Sequence, residues 1–257
     1  MSEDFNQPYA PPPQVEDEFF NGQDGYLREP QAVPAGNATS WISNSWLLFK
    51  AQPLKWILAT VLYFVVSIVL SFIPYLGSFA QSFLGIFLGA GFVYAAARIE
   101  EQGDFEIGDI FAGFRENLNG LLILSAIAVG FTLAIALGSL AVGFPMYSDP
   151  DPQSMQNISW AAVGVFMVII FVLSIVYAAA TYLAPTLVLL QNEPPMEAIK
   201  LSLAAFKNNI LGAILCSLLM IILMIVAAIP LGLGLLVVMP MFLVIPYVIY
   251  RDLFFAE

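Results

Sequence analysis

Four stretches of the chain carry no charged residue: Trp56 to Ala97, Asn117 to Ser148, Pro152 to Asn192 and Asn208 to Tyr250. Each exceeds the ~20 apolar residues that a helix needs to cross the hydrocarbon core of a bilayer. The first and last are long enough for two crossings and carry turn residues midway, at Pro74-Tyr75-Leu76-Gly77 and at Pro230-Leu231-Gly232, so each predicts a helical hairpin. The middle two predict one span each, over 118–142 and 159–184, joined by a polar loop around Asp149-Pro150-Asp151. The expected fold is all-α and polytopic, with about six transmembrane helices.

The segments that precede spans one, three and five share a pattern. Ile42, Trp46, Phe49 and Lys50 recur as Ile107, Phe111, Phe114 and Arg115, and again as Ile199, Leu203, Phe206 and Lys207. Apolar residues at i, i+4 and i+7 share one face of an α-helix, and the basic residue that follows marks where the chain leaves the membrane surface. Each segment is therefore expected to be an interfacial amphipathic helix. The second span of each unit ends alike, with Tyr94 and Arg98, then Tyr177 and Thr181, then Tyr247 and Arg251. Residues four apart lie on one helix face, where a tyrosine suits the aromatic belt and an arginine can snorkel to headgroups. The expected anchors are Phe49, Lys50, Tyr94, Arg98, Phe114, Arg115, Phe206, Lys207, Tyr247 and Arg251. The units run over about 39–103, 104–193 and 194–257, a parallel triplication without the inverted symmetry common in secondary transporters.

Charge changes the picture by fixing orientation. With six spans, Arg28, Lys50, Lys55, Arg98, Arg115, Lys200, Lys207 and Arg251 all fall on one side of the membrane. Basic flanks face the cytoplasm, so both termini are expected there, in the inner membrane of a bacterium. Residues 1–38 are rich in proline and acid and cannot bury enough apolar surface to offset their ordering entropy; they are expected to be a disordered cytoplasmic tail. The tail is also the candidate docking segment for a protein partner. It lacks the positive n-region and apolar h-region of a cleavable signal, so insertion is expected to begin with the first span.

Composition removes most chemistry. The chain of 257 residues is 60% hydrophobic and 11% charged, with no histidine and a single cysteine, Cys216, inside an apolar run. Its formal net charge of -11 is spread too unevenly to define an acidic binding surface. Without histidine the commonest general base, the Ser-His and Cys-His pairs and most zinc sites are excluded. No ionisable residue sits at span depth, which argues against a proton path. Asn119, Gln81 and Thr181 lie near span ends, and Thr132 is the one polar candidate deeper in a span.

Asp149 and Asp151 lack further ligands for a metal, and the triplets Asn37-Ala38-Thr39 and Asn157-Ile158-Ser159 are poorly placed for glycosylation. Gly85 with Gly89, and Gly130, Ala134 and Gly138, make small-residue stripes suited to helix packing, and they permit a homo-oligomer. No enzymatic activity, cofactor, metal or nucleic-acid partner is expected. The expected partners are membrane lipids and a protein bound through residues 1–38. The expected role is membrane-organising or partner-binding, with a lipid-handling or small-molecule carrier as the alternative.

Four motifs carry a resemblance: Ser45-Trp46-Leu47-Leu48-Phe49-Lys50 leading to Pro53, Asp109-Ile110-Phe111-Ala112-Gly113-Phe114-Arg115, Glu197-Ala198-Ile199-Lys200-Leu201-Ser202, and Tyr250-Arg251-Asp252-Leu253-Phe254. Over 39–257 the chain resembles a family of bacterial multipass inner-membrane proteins, similar to the membrane domain attached to some glycerophosphoryl diester phosphodiesterases. The resemblance implies a fold and transfers no activity. With no histidine and no soluble α/β segment, these residues are not expected to supply phosphodiesterase catalysis.

Overall fold

The computed structural model describes residues 26–27, 29–73, 76–148 and 160–255. Ten helical elements follow in order: α1 (Asn37–Ala51), α2 (Pro53–Ser71), α3 (Leu76–Gln102), a 3-10 helix (Ile107–Phe114), α4 (Leu118–Ser148), α5 (Trp160–Thr181), α6 (Ala184–Gln191), α7 (Pro195–Asn208), α8 (Ile210–Ala228) and α9 (Leu235–Phe254). The only β pairing among the described residues is an isolated bridge between Tyr26 and Phe255. Among the described residues, six stretches are long and apolar enough to cross a membrane: Pro53–Ser71, Phe79–Gln102, Leu118–Leu140, Val163–Gln191, Ile210–Ala228 and Leu235–Phe254. The chain is an all-α polytopic membrane protein.

Local chemistry sets most boundaries. Pro53 and Pro195 open α2 and α7, at positions whose backbone N–H has no helical partner to lose. The turn at Pro230-Leu231-Gly232 falls where the sequence places it, with Leu231 at φ 54° and Gly232 at φ 79°. The Leu233 N–H donates to the Pro230 carbonyl at 3.0 Å and closes that turn. Pro74, Tyr75, the acidic loop at Asp149 and Asp151 and the triplet at Asn157 lie outside the described residues.

The structure departs from expectation in three places. Span four is interrupted: α5 stops at Thr181, and a separate short helix, α6, follows. Pro185 lacks an N–H for the Thr181 carbonyl and its ring collides with that turn, so α5 cannot continue. Every residue of α6 from Ala184 to Leu190 is buried. The middle surface segment is a 3-10 helix. At three residues per turn, Phe111 and Phe114 share a face while Ile107 does not, and the i, i+4, i+7 alignment holds only for α1 and α7.

The cause is close approach. A Cβ on Gly91 of α3 would lie 1.8 Å from the Ile110 carbonyl oxygen, and one on Gly113 would lie 2.6 Å from that of Phe87. Two glycines, one on each element, let the 3-10 helix sit directly on α3.

The third departure is at the N-terminus. Residues 29–36, expected within the tail, form a strap across one end of the bundle, held by side-chain amides described below. The core is built around α3 and α9. Trp41, Trp56, Phe87, Phe92, Phe105, Tyr250 and Phe254 are its largest aromatic members, with Trp56 between Phe105 (ring centroids 4.4 Å apart) and Phe92 (6.0 Å).

Candidate functional site at the polar end of the bundle

The starts of α2, α4 and α8 and the ends of α3, α6 and α9 meet at one end of the molecule. Every Lys, Arg, Asp and Glu among the described residues lies at this end, on the helix termini or on the segments that connect them. The charges are arranged as partners.

Asp109, only 3% exposed, is the most buried of them. It sits at the third position of the 3-10 helix and accepts two hydrogen bonds from Arg98 Nη1, at 3.0 and 3.1 Å. It also accepts the Glu106 backbone N–H at 2.7 Å, one half of a capping box that starts the helix. Arg115 Nη2 stands 4.0 Å away. Arg98 reaches on to Gln102 Oε1 at 3.0 Å. One carboxylate thus fastens the end of α3 to the segment that follows it.

Glu100, two residues beyond Arg98, joins α3 to α9. Tyr247 donates its hydroxyl to Glu100 at 2.8 Å, and Arg251 Nη2 pairs with the other carboxylate oxygen at 2.9 Å. The Arg251 guanidinium lies 4.3 Å from the Phe255 ring centroid, within cation–π range. Lys55, at the start of α2, pairs with Asp104 and donates to the Phe105 carbonyl at 2.9 Å. The hydrogen bond from Lys55 holds the Asp104 carboxyl below the usual carboxylate range, with help from the Phe105 N–H.

The strap is read by amides. Asn209 accepts the Val33 N–H at 2.8 Å and donates to the Gln31 carbonyl at 3.0 Å, gripping that stretch of backbone from both sides. Asn208 donates to the Pro30 carbonyl at 3.1 Å. Gln31 donates through its own amide to the carbonyls of Asp252 (2.7 Å) and Phe255 (2.9 Å), while Leu27 N–H reaches the Phe254 carbonyl at 2.8 Å. Asp252 takes the Trp41 indole N–H at 2.6 Å and Asn37 at 3.0 Å, so α1 is tied to the same place. Tyr26 donates to Glu193 at 3.2 Å; burial, reinforced by Glu193, pushes the Tyr26 hydroxyl pKa up.

The remaining joints are neutral. Gln191 bonds the Tyr250 hydroxyl. Asn117 donates to the Val188 carbonyl at 3.0 Å. Ser202 donates to the Ala179 carbonyl at 2.6 Å and accepts the Leu183 N–H at 3.1 Å, which satisfies the backbone freed by the break before α6.

The ten expected anchors fall into three groups. Phe49 is buried, Phe114 stacks on Phe87 with ring centroids 4.6 Å apart, and Arg98, Tyr247 and Arg251 engage acidic residues of the protein. Tyr94 and Phe206 are half-buried. Lys50, Arg115 and Lys207 are exposed, with Lys50 Nζ 5.7 Å from the Trp46 ring centroid.

Tyr247 and Arg251 do share a face, and it points at Glu100. Sequence reasoning found the cations Arg98 and Arg251 and missed their acceptors, Asp109 and Glu100. Their position at the same span ends as the arginines was the available signal. No group of three or more His, Cys, Asp or Glu is placed to hold a metal among the described residues.

Fold and polar end together define a multipass membrane protein whose described charges are gathered at one pole. No family model, curated protein or solved structure matches the chain.

Proposed function

We propose that this chain is a non-catalytic, membrane-organising or partner-binding protein of the bacterial cytoplasmic membrane, with both termini in the cytoplasm. One observation carries the reading. Leu27, Gln31 and Val33 are fixed to the start of α8 and the end of α9, so the chain that follows the acidic, proline-rich segment is tethered at the polar end.

The same end gathers the described basic residues, as expected of a cytoplasmic face. The polar groups there serve as joints between helices. The three-unit organisation is part of the proposal, supported by the half-buried Ile42, Ile107 and Ile199 and the exposed Lys50, Arg115 and Lys207 at matching positions. So is kinship with the membrane domain attached to glycerophosphoryl diester phosphodiesterases.

The test is co-purification. Deleting residues 1–25 is expected to remove a stoichiometric protein partner while leaving the bundle's melting behaviour intact; an unchanged set of partners would sink the role of the tail. A periplasmic reporter fused at Met155 is expected to be active, and a silent one overturns the topology. Lipid handling is the second reading, favoured by a lateral apolar groove between α1, α8 and α9.

A further inference from the structure

The groove has a volume of about 400 Å³. Val238 and Met241 of α9 form its buried floor, Leu223 of α8 one wall, and Ile42 and Trp46 of α1 its roof. Polarity enters only along α1, through the exposed Thr39 and Ser43. One turn beyond Trp46 on that helix, Lys50 holds its ammonium over the Trp46 ring. The cleft is thus apolar inside, with hydroxyls and a cation on its α1 side.

Its size, lining and flanking cation together suit a slender amphiphile. A helix is about 10–12 Å across and advances 5.4 Å per turn, so ~400 Å³ is filled by roughly one turn of helix. Only about one turn of a partner helix could enter it, whereas a single unbranched hydrocarbon tail can lie along it, beside the Lys50 ammonium that matches an anionic headgroup. The volume lies at the small end of the range for ligand sites, roughly 300–1,000 Å³.

We infer that the groove is a binding site for one phospholipid, whose acyl chain lies against Leu223, Val238 and Met241 and whose phosphate is met by Lys50. Lipid tails are as apolar as the groove wall, so burial alone gives no preference for this site over the bilayer. Retention rests on packing in the cleft and on the headgroup contact. The site needs only that the six helices lie in lipid and is independent of the partner-binding reading.

The test uses the full chain in vesicles of phosphatidylethanolamine and phosphatidylglycerol, extracted in mild detergent and weighed intact with its retained lipid. Wild type is expected to keep one phospholipid, phosphatidylglycerol in preference. Ser43→Trp fills the cleft from α1 at an exposed position and Val237→Phe from α9. Each is expected to lower retention about tenfold, the size of a modest overpacking penalty. Val168→Trp, on the exposed face of α5, is expected to leave it unchanged.

Lys50→Gln is expected to erase the headgroup preference while keeping the lipid. Melting curves of all four variants separate loss of lipid from loss of fold. A wild type that keeps no phospholipid overturns the proposal, as does retention that survives both filling substitutions or a preference that survives Lys50→Gln.

Discussion

α9 and α5 are both apolar helices of about six turns, and they are built for opposite surroundings. Half of the most apolar stretch of the α9 span is buried, whereas only 6% of the corresponding stretch of the span that contains α5 is. α5 touches the protein along one narrow stripe, Val163, Phe166, Ile170, Ser174 and Tyr177, where Tyr177 stacks on Phe131 of α4 at 4.1 Å. Before its last turn, where Ala179 is buried, the described side chains outside that stripe, Val168 and Phe171 among them, are exposed.

Hydropathy runs the other way. The spans of α3 and α9 have mean hydropathies of 1.6 and 1.7, the lowest of the six, while those of α5 and α8 reach 2.7 and 3.0. In water the most hydrophobic helix seeks the interior. In a bilayer the lipid is as apolar as any leucine, so the interior goes to helices with small residues, aromatic hydroxyls and polar ends that need protein partners. The central pair is marked by what lipid cannot satisfy.

The comparison can be broken by substitutions on each side. Asp109→Ala removes the carboxylate that Arg98 holds and is expected to cost ~3–5 kcal/mol, the usual result of breaking a buried ion pair from one side. A denaturant titration in detergent reads this directly. A loss under about 1 kcal/mol would mean that the joint is solvated and the centre of the bundle does not depend on it.

Gly91→Val on α3 drives a side chain into the Ile110 carbonyl and is expected to cost ~1–3 kcal/mol or more. Gly164→Ala on α5 meets open space and is expected to be neutral or to stabilise by up to ~1 kcal/mol through helix propensity. Equal effects at the two glycines would erase the distinction between central and peripheral helices. Tyr177→Ala is expected to lose ~0.5–1.5 kcal/mol of aromatic stacking, and hydrogen exchange should show α5 loosened while the polar end stays protected.

The smallest effect is in pH. Asp104 is held below the ordinary carboxylate range by Lys55, so its contribution is complete above that range and disappears as pH falls through the lowered value. Lys55→Ala is expected to move the Asp104 titration, followed by carboxyl NMR, up toward the ordinary range, with the Phe105 N–H still holding part of the depression, and to flatten that part of the acid profile.

The spans were legible because charge-free runs and turn prolines act locally; the break at Pro230-Leu231-Gly232 needs only the chain on either side. The identity of the central helices was hidden, since it depends on partners rather than hydropathy. The strap was hidden for a related reason. Gln31 and Asn209 lie 178 residues apart, and nothing in an acidic, proline-rich stretch signals that amides elsewhere will grip its backbone. α6 escaped notice because an apolar run of any length reads as one span until Pro185 is weighed against the carbonyl it displaces. The lipid-facing role expected of Tyr247 and Arg251 passed over the acidic residue two positions beyond Arg98.

The strap also sets an order of events during synthesis. Its residues leave the ribosome before the six described spans, yet Asn209 and the carbonyls of Leu253, Phe254 and Phe255 are made only after most of them. Elsewhere helices can pair with neighbours already inserted, as domains do when they fold during translation. The earlier-made strap must wait for the later-made α9, and its docking follows the insertion of the spans between them.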